Sequence, residues 1–456
     1  MYLENRTYPF LSFRRGGRGV RWIKCEIMKI VNIVPGFGGT FYCGNCLRDS
    51  AYVNALREAG HEATVLPMYL PLTANAHKPD EGLPVFYGAV NIYLRQQFPL
   101  MRHMPGWMES LFDSGPVLKF AAGKSGSTRA HGLEKLTESM LLGEKGYQHQ
   151  ELDHLVDFLV NHQKPDIVHF SNALLLGLAE RIRKEVRVPV VCSLQDEDVW
   201  VDAMEESWRE KIWQLMAEKG RDADAFVAVS SYFAGVMQNK MHIPQEKLHV
   251  VHIGVKPEQY VYSSPATSPQ AIGYLSRICE ENGFEILVDA FIRLKAEPRF
   301  SNLVLNVTGG LTGDDKPFLN RQLKKLEDKN LRQSIRIWDD FSTESLAGFF
   351  KSLSVLSVPV LKGEAFGLYQ IEALASGVPL VQPDLGAFPE IIRATGGGVL
   401  YHPNTADALA EKLSTILSDP AWLTQLSQTG RKSVEDVFNC KNLTRQMLEI
   451  YRQIIR

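Results

Sequence analysis

Short apolar runs recur along the chain and alternate with longer stretches whose apolar residues return at helical spacing. The first kind predicts buried strands and the second predicts helices that pack on one face. Ile30–Pro35 reads as a strand, Cys46–Ala59 as a helix closed by Gly60, and Ala63–Leu66 as the next strand. Asp166–Phe170, Val188–Ser193 and Ala225–Val229 continue the series. A second series follows at Ala271–Ser276, Leu303–Val307, Ile335–Trp338, Val355–Pro359 and Val378–Gln382. Strands alternating with helices in this way predict an α/β architecture with parallel sheets.

The rhythm breaks at Gly254-Val255-Lys256-Pro257, and Val261–Gln270 is rich in Ser, Pro and Thr, as an interdomain linker would be. The expected organisation is therefore an extension over 1–27, a domain over 28–260, a linker over 261–270 and a second domain over 271–435. Residues 436–456 form a last helix, with Val437, Phe438, Leu443, Met447, Ile450 and Ile454 near helical spacing. Residues 68–150, with many Pro, Gly and Met, read as irregular insertions at the edge of the first domain. Two doubly wound domains leave a cleft where the carboxyl ends of their strands face each other, and such sheets bind ligands there.

Residues 1–27 differ from the rest. Arg14-Arg15-Gly16-Gly17-Arg18 is basic and glycine-rich with no apolar segment after it, which is not the pattern of a signal peptide. Met28, immediately before the first strand, is the expected natural start; the rival reading is a basic tail that touches lipid or an acidic partner. The full chain of 456 residues is 45% hydrophobic with a formal net charge of −2, enough apolar content for two or three cores and no electrostatic footprint for nucleic acid. No apolar run is long enough to span a bilayer, and the 6 cysteines are scattered rather than arranged as a disulfide framework. A cytoplasmic protein is expected, with peripheral contact at the inner face of the membrane as an option. The stretch Phe98–Met108, which mixes aromatic, Met and basic residues, is the candidate for that contact or for an acceptor lip, against the plainer reading as core.

The chemistry concentrates in Glu364-Ala365-Phe366-Gly367 and, eight residues after Glu364, Glu372, which is expected to open an Ala/Leu-rich helical stretch running to Pro379. A strand, a glycine turn and a helix start form an anion cradle, because backbone N–H groups at a helix start have no partners within the helix. Two carboxylates beside a phosphate would repel it, so Glu364 and Glu372 are better read as acceptors of hydrogen bonds from hydroxyls. Phosphate together with hydroxyls points to a sugar nucleotide. The plain alternative makes them a loop acid and a solvated helix acid. A glycoside hydrolase also uses two carboxylates, and along one straight helix this spacing would be about 12 Å, beyond the roughly 5–9.5 Å such pairs need. The Gly367 turn could shorten that distance; the phosphate cradle argues against hydrolysis more strongly.

Pro35-Gly36-Phe37-Gly38-Gly39-Thr40 follows the first strand, where close backbone approach favours glycine. Cys43-Gly44-Asn45-Cys46 spaces two thiols at a helix start, a pattern with redox or metal readings, but no second pair completes a zinc site, and structural cysteines are the alternative.

From Met28 onward, and most densely over residues 355–403, the chain resembles the family 4 glycosyltransferases (glycosyl transferases group 1) of the GT-B fold. The resemblance implies two Rossmann-like domains, a nucleoside-diphosphate sugar as donor and retention of anomeric configuration. It implies that Glu364 binds donor-sugar hydroxyls, that Glu372 binds the ribose, and that Phe366, Gly367 and Leu368 present backbone N–H groups. Gly38 and Gly39 would lie over the diphosphate, and Leu56–Val65 matches the entry to the second strand. The final helix would cross back onto the first domain. Glu390, after Gly386-Ala387-Phe388-Pro389, is expected to cap or brace its own following helix.

Two positions depart from the family pattern. Arg277 keeps one diphosphate cation, but the usual lysine position holds Asn282, so Lys362 becomes a candidate substitute. Gln195 stands where many relatives carry a histidine; it hydrogen-bonds but takes no proton, leaving Asp196 or Asp198 as acceptor contacts or merely as first-turn helix acids. The expected activity is retaining transfer to a hydroxyl of a glycan, lipid-linked or small-molecule acceptor, with no metal and no resident cofactor. The alternatives are a nucleotide-sugar-binding protein without transfer activity and a nucleotide-sugar epimerase of the same fold.

Overall fold

The computed structural model describes residues 27–35, 44–68, 132–340 and 343–455. Residues 1–26, the Gly38-Gly39 loop with Cys43, and the Phe98–Met108 stretch lie outside them. One sheet holds β1 (Lys29–Val34), β2 (Glu62–Pro67), β3 (Ile167–Phe170), β4 (Val190–Leu194), β5 (Ala225–Ala228) and β6 (Leu248–Val250) in the order β2-β1-β3-β4-β5-β6. A second holds β7 (Ala271–Leu275), β8 (Val304–Thr308), β9 (Ile335–Ile337), β10 (Val355–Leu356), β11 (Leu380–Pro383) and β12 (Gly398–Tyr401), in the order β12-β11-β10-β7-β8-β9. Every pairing is parallel, as between Val31 and Val168 or Tyr274 and Val307. Central strands such as β3, β4, β5 and β7 are buried along their whole length, because helices cover both faces.

The strand order reverses between β1 and β3 in the first sheet and between β7 and β10 in the second. Loops leaving the two central strands turn to opposite faces there, which opens a crevice at the carboxyl ends. The helices that matter for this crevice are α1 (Gly44–Glu58), α2 (Ser231–Met241), α3 (Phe284–Lys295), α4 (Leu368–Ala375), α5 (Phe388–Thr395) and α6 (Cys440–Ile454). Ser230 caps α2 by accepting from Phe233 N at 3.0 Å, and Asn439 caps α6 by accepting from Asn442 N at 2.9 Å. Glycines in the left-handed region, Gly283 at φ 71° and Gly367 at φ 77°, start α3 and α4.

The chain crosses between the sheets twice, side by side. Val255 N donates to Phe438 O at 3.0 Å, and Cys440 N donates to Val255 O at 2.8 Å. Beyond that crossing, Leu443, Met447, Ile450 and Tyr451 of α6 enter the core that Met28, Ile30, Val53 and Leu56 form behind the first sheet.

Several expectations change. β6 and β12 were not foreseen: both are short edge strands, and both are partly exposed, so neither makes a continuous buried run. Part of the stretch expected to be irregular is helical over Glu134–Leu141, where Trp200 Nε1 donates to Thr137 Oγ1 at 3.3 Å. The helix α4 starts at Leu368, so Glu372 lies in its middle and does not open it.

Gly283 is a stringent position. A Cβ there would lie 1.7 Å from the backbone oxygen of Pro359, in addition to the left-handed strain. Gly283→Ala is expected to cost on the order of 2–3 kcal/mol, read as a lower denaturation midpoint with an unchanged slope; an unaltered midpoint would contradict the close approach.

Candidate functional site

The loops after β7 and β10 meet at the second switch point. Leu361 N donates to Glu281 O at 3.0 Å, and Gly283 packs on Pro359, so the Arg277 loop and the Glu364 loop are neighbours. The Arg277 loop is tied down from within: Tyr274 Oη donates to Arg277 O at 2.9 Å, and Asn282 Nδ2 donates to Ser276 Oγ at 2.8 Å and to Arg277 O at 3.1 Å. Asn282 thus holds the turn, where the family pattern has a cation. The Arg277 guanidinium lies 3.5 Å from the buried carboxylate of Asp315 and 3.6 Å from Glu281. Asp315 also accepts from Thr312 N and Thr312 Oγ1, so its position is fixed independently of Arg277.

On the other loop, Gly363, Gly367 and Gly386 all take positive φ. A Cβ on Gly386 would lie 2.5 Å from Glu364 N, so glycine lets the two turns touch. Ala387 N donates to Glu364 O at 2.9 Å and locks the contact. The Glu364 carboxylate accepts from Tyr369 Oη at 3.2 Å. Burial comes first, and with the nearby charges of Asp196 and Asp198 it pushes this carboxyl up to about 8 against the opposing effect of Tyr369. Glu372 is 4% exposed and accepts from Tyr260 Oη at 2.8 Å, which rules out a solvated helix acid. The Phe366 and Leu368 side chains are buried in the core, leaving only their backbone to the site. Lys362 is exposed beside Gly363.

Across the cleft stand residues from the first domain. Asp196, at φ 58°, precedes the short helix Glu197–Val201 and makes no side-chain cap to it. Glu197 accepts from Ala173 N at 2.8 Å and Gln195 N at 2.7 Å, and burial above all pushes it up to about 8. Asp198 is pushed up to about 6, by burial first and then by Asp196. The Gln195 carboxamide is turned inward: Nε2 donates to Ser171 O at 2.8 Å, and Oε1 accepts from Arg48.

Arg48 begins a buried chain that the sequence reading missed. Its Nη2 donates to Ser193 Oγ at 2.7 Å, Ser193 meets His169 Nε2 at 2.8 Å, and His169 Nδ1 meets Tyr451 Oη of α6. Burial, with Arg48 beside it, depresses His169 to about 3 and keeps it neutral. Asp49 next to Arg48 is pushed up to about 7 by burial. The missed signal was the Arg48-Asp49 pair directly after the glycine loop. The side chain of Cys46 is not among those described, although its backbone lies in α1.

The expectation that Glu390 braces its own helix is corrected. It sits in the first turn of α5, but its carboxylate reaches the other domain. Oε1 accepts from Ser231 N and Ser231 Oγ, each at 3.0 Å, and from His252 Nε2 at 2.6 Å; Oε2 accepts from Tyr232 N at 3.2 Å. Partial burial opposes ionisation, yet these hydrogen bonds prevail and hold Glu390 down to about 2. As Glu390 is then an acceptor only, His252 Nε2 carries the proton.

The two doubly wound sheets and the loops paired at the second switch point define a two-domain fold of the GT-B class. The family model described as Glycosyl transferases group 1 matches residues 258–433, and that described as Glycosyltransferase Family 4 matches residues 136–259. The MMP alpha-(1->4)-mannosyltransferase of Mycolicibacterium hassiacum is 26% identical over 303 residues, covering 64% of this chain and 71% of that protein. Among solved structures, the sucrose-phosphate synthase of Thermosynechococcus elongatus has a TM-score of 0.67 at 18% identity, covering 93% of this chain and 99% of that one. Anabaena HepE, solved with UDP and glucose, has a TM-score of 0.67 at 15% identity, with coverages of 93% and 99%. The chain belongs to the family 4, group 1 glycosyltransferases.

A carboxyl raised by folding supports the folded state while it stays protonated. Glu364 therefore contributes stability that is full below its ordinary value, near 4.5, and lost as pH rises through about 8. Glu364→Gln, which keeps the shape without the charge, is expected to flatten the fall in Tm of the ligand-free protein between pH 5 and 9 and to raise Tm at the alkaline end. Identical profiles for the two proteins would refute the assignment.

Proposed function

We propose that the protein transfers a glycosyl group from a nucleoside-diphosphate sugar to a hydroxyl acceptor with retention of configuration. The observation that carries this reading is the junction of the Arg277 and Glu364 loops at the switch point between β7 and β10. That crevice offers a guanidinium and helix N-termini for a diphosphate on one side, and carboxyl groups for hydroxyls on the other. HepE was solved with UDP and glucose, which further supports a nucleotide-sugar donor.

In this mechanism the bond from the anomeric carbon to the diphosphate oxygen breaks as the acceptor oxygen bonds to the same face. The acceptor proton passes to the departing diphosphate. Arg277, the backbone N–H groups of residues 366–368 and the exposed Lys362 stabilise that leaving charge. Glu364 holds the sugar hydroxyls, and Glu372, already bonded to Tyr260, receives the ribose. Asp196, whose charge acts on Glu364 from the first domain, is the acceptor-side group in this reading. Domain closure excludes water and limits hydrolysis of the donor. The chemistry so described uses no resident metal or cofactor. A glycan, lipid-linked or small-molecule acceptor on the cytoplasmic side, at the membrane surface where the acceptor is a lipid, completes the proposal.

One observation favours a second reading, binding without transfer: Arg277 is shared with Asp315 and Glu281, and Asn282 supplies no second cation. Calorimetry with UDP, GDP and ADP, followed by turnover assays with the matching sugar nucleotides, separates the two. Glu364→Gln is expected to lower kcat by about a hundredfold or more while nucleoside-diphosphate affinity stays close to wild type. Undiminished turnover would remove Glu364 from the mechanism, and tight binding with no turnover of any donor would establish the second reading.

A further inference from the structure

The loop that carries Glu364 is held from two directions by α2, a helix of the opposite domain. Ser230 Oγ, at the start of α2, donates to Ala365 O at 2.6 Å, one residue from Glu364. The Ser231 and Tyr232 N–H groups, in the first turn of α2, point at the carboxylate of Glu390. Glu390 stands on α5, and the turn that opens α5 supplies the Ala387 N–H to Glu364 O. His252 adds a fourth donor to Glu390 and lies 6.1 Å, ring to ring, from Phe366. A Cβ on Gly363 would come within 3.1 Å of Tyr232 Oη, so this end of the loop also abuts α2.

A carboxylate set against a helix N-terminus gains both hydrogen bonds and the favourable helix dipole. Such caps normally come from the residue that precedes the helix. Here that position is filled by Ser230, and the additional anion comes from a different domain, 159 residues away in sequence. A parting of the domains would expose all of these donors to water together, so the contact is specific to the arrangement of the domains seen here.

We infer that Glu390 is a positioning residue: it latches the N-terminal domain, through the start of α2, onto the loop that presents Glu364. The inference rests on the reading above that this loop binds the donor sugar. It gives the domain arrangement a direct hold on the geometry of that loop, and displacement of a reacting group by about 1 Å costs up to about a hundredfold in rate.

The test compares Glu390→Ala with the isosteric Glu390→Gln, whose one amide oxygen cannot accept all four bonds. Small-angle scattering of the ligand-free proteins is expected to give a larger radius of gyration for the alanine variant and an intermediate value for the glutamine variant. With whichever of UDP-glucose, GDP-mannose or ADP-glucose the wild type turns over, kcat is expected to fall about tenfold or more for alanine, with partial rescue by glutamine and a smaller change in donor KM. Wild-type scattering by both variants overturns the latch. Expansion without kinetic loss overturns the positioning role. Glu364→Gln serves as the reference, expected to scatter as wild type while losing turnover; if it keeps its turnover, the donor-site reading fails, while the scattering of the Glu390 variants still decides the latch.

Discussion

The candidate site depends on how closely backbones approach at the carboxyl ends of β7 and β10. Gly283 lies against the carbonyl of Pro359, and Gly386 against the N–H of Glu364, at separations that leave no room for a Cβ. The first contact makes neighbours of the loops bearing Arg277 and Glu364, and the second seats the Glu364 loop on the turn after β11. The strand-order reversal opens the crevice, but glycine at those positions sets its width. A side chain at position 283 would push the cation-bearing loop away from the carboxyl-bearing loop, and one at position 386 would push the Glu364 loop off the turn that opens α5.

The close approach concentrates acid. Glu364, Asp196 and Asp198 face a cleft assigned to a polyanionic donor, and like charges at short range would oppose the ligand. Burial resolves much of this conflict. Burial and the charges of Asp196 and Asp198 raise the Glu364 carboxyl in the ligand-free protein, so its own negative charge opposes the donor less than an exposed carboxylate would. Glu390 shows the opposite outcome in the same region: four donors keep it charged, and its charge stays out of the donor crevice because it is committed to α2 and His252. Two carboxyl groups on neighbouring turns are therefore shifted in opposite directions, because Glu390 reaches four donors and Glu364 accepts from Tyr369 while facing two acids.

The central strands were legible because burial on both faces turns them into apolar runs, and the glycine turn at Gly367 was legible because it separates two such patterns. β6 and β12 were not, because each is short and partly exposed and makes no continuous buried run, although the edge strands β2 and β9 were legible. The start of α4 was misplaced at Glu372 because a buried glutamate in mid-helix reads as polar; its partner, Tyr260, lies beyond the reach of local pattern. The inward turn of Gln195 was likewise invisible: a glutamine beside two acids reads as a surface group until Arg48, from the first helix, is placed against it. Glu390 illustrates the general limit. Local sequence identifies a first-turn helix acid, but which helix receives its charge is decided by the docking of two domains.

The exchange of the family's lysine for Asn282 follows the same logic of rigidity against charge. An ammonium on that turn would add a mobile cation; the Asn282 amide instead bonds Ser276 Oγ and Arg277 O and fixes the backbone under Arg277. Arg277 in turn lies 3.5 Å from Asp315, longer than the roughly 2.7–2.9 Å of a fully formed charge-assisted hydrogen bond. A guanidinium restrained in this way has already lost part of its rotamer freedom, so contact with a phosphate costs less ordering than it would for a free side chain. The field it exerts is smaller, because Asp315 offsets part of its charge. What strengthens that field is exclusion of water, since the same charges interact more strongly as the effective dielectric falls. On the proposed reading, a site with one restrained cation depends on closure more than a site with two restrained cations, which would make the interdomain contacts of Glu390 and Ser230 matter for the field at the site as well as for its geometry.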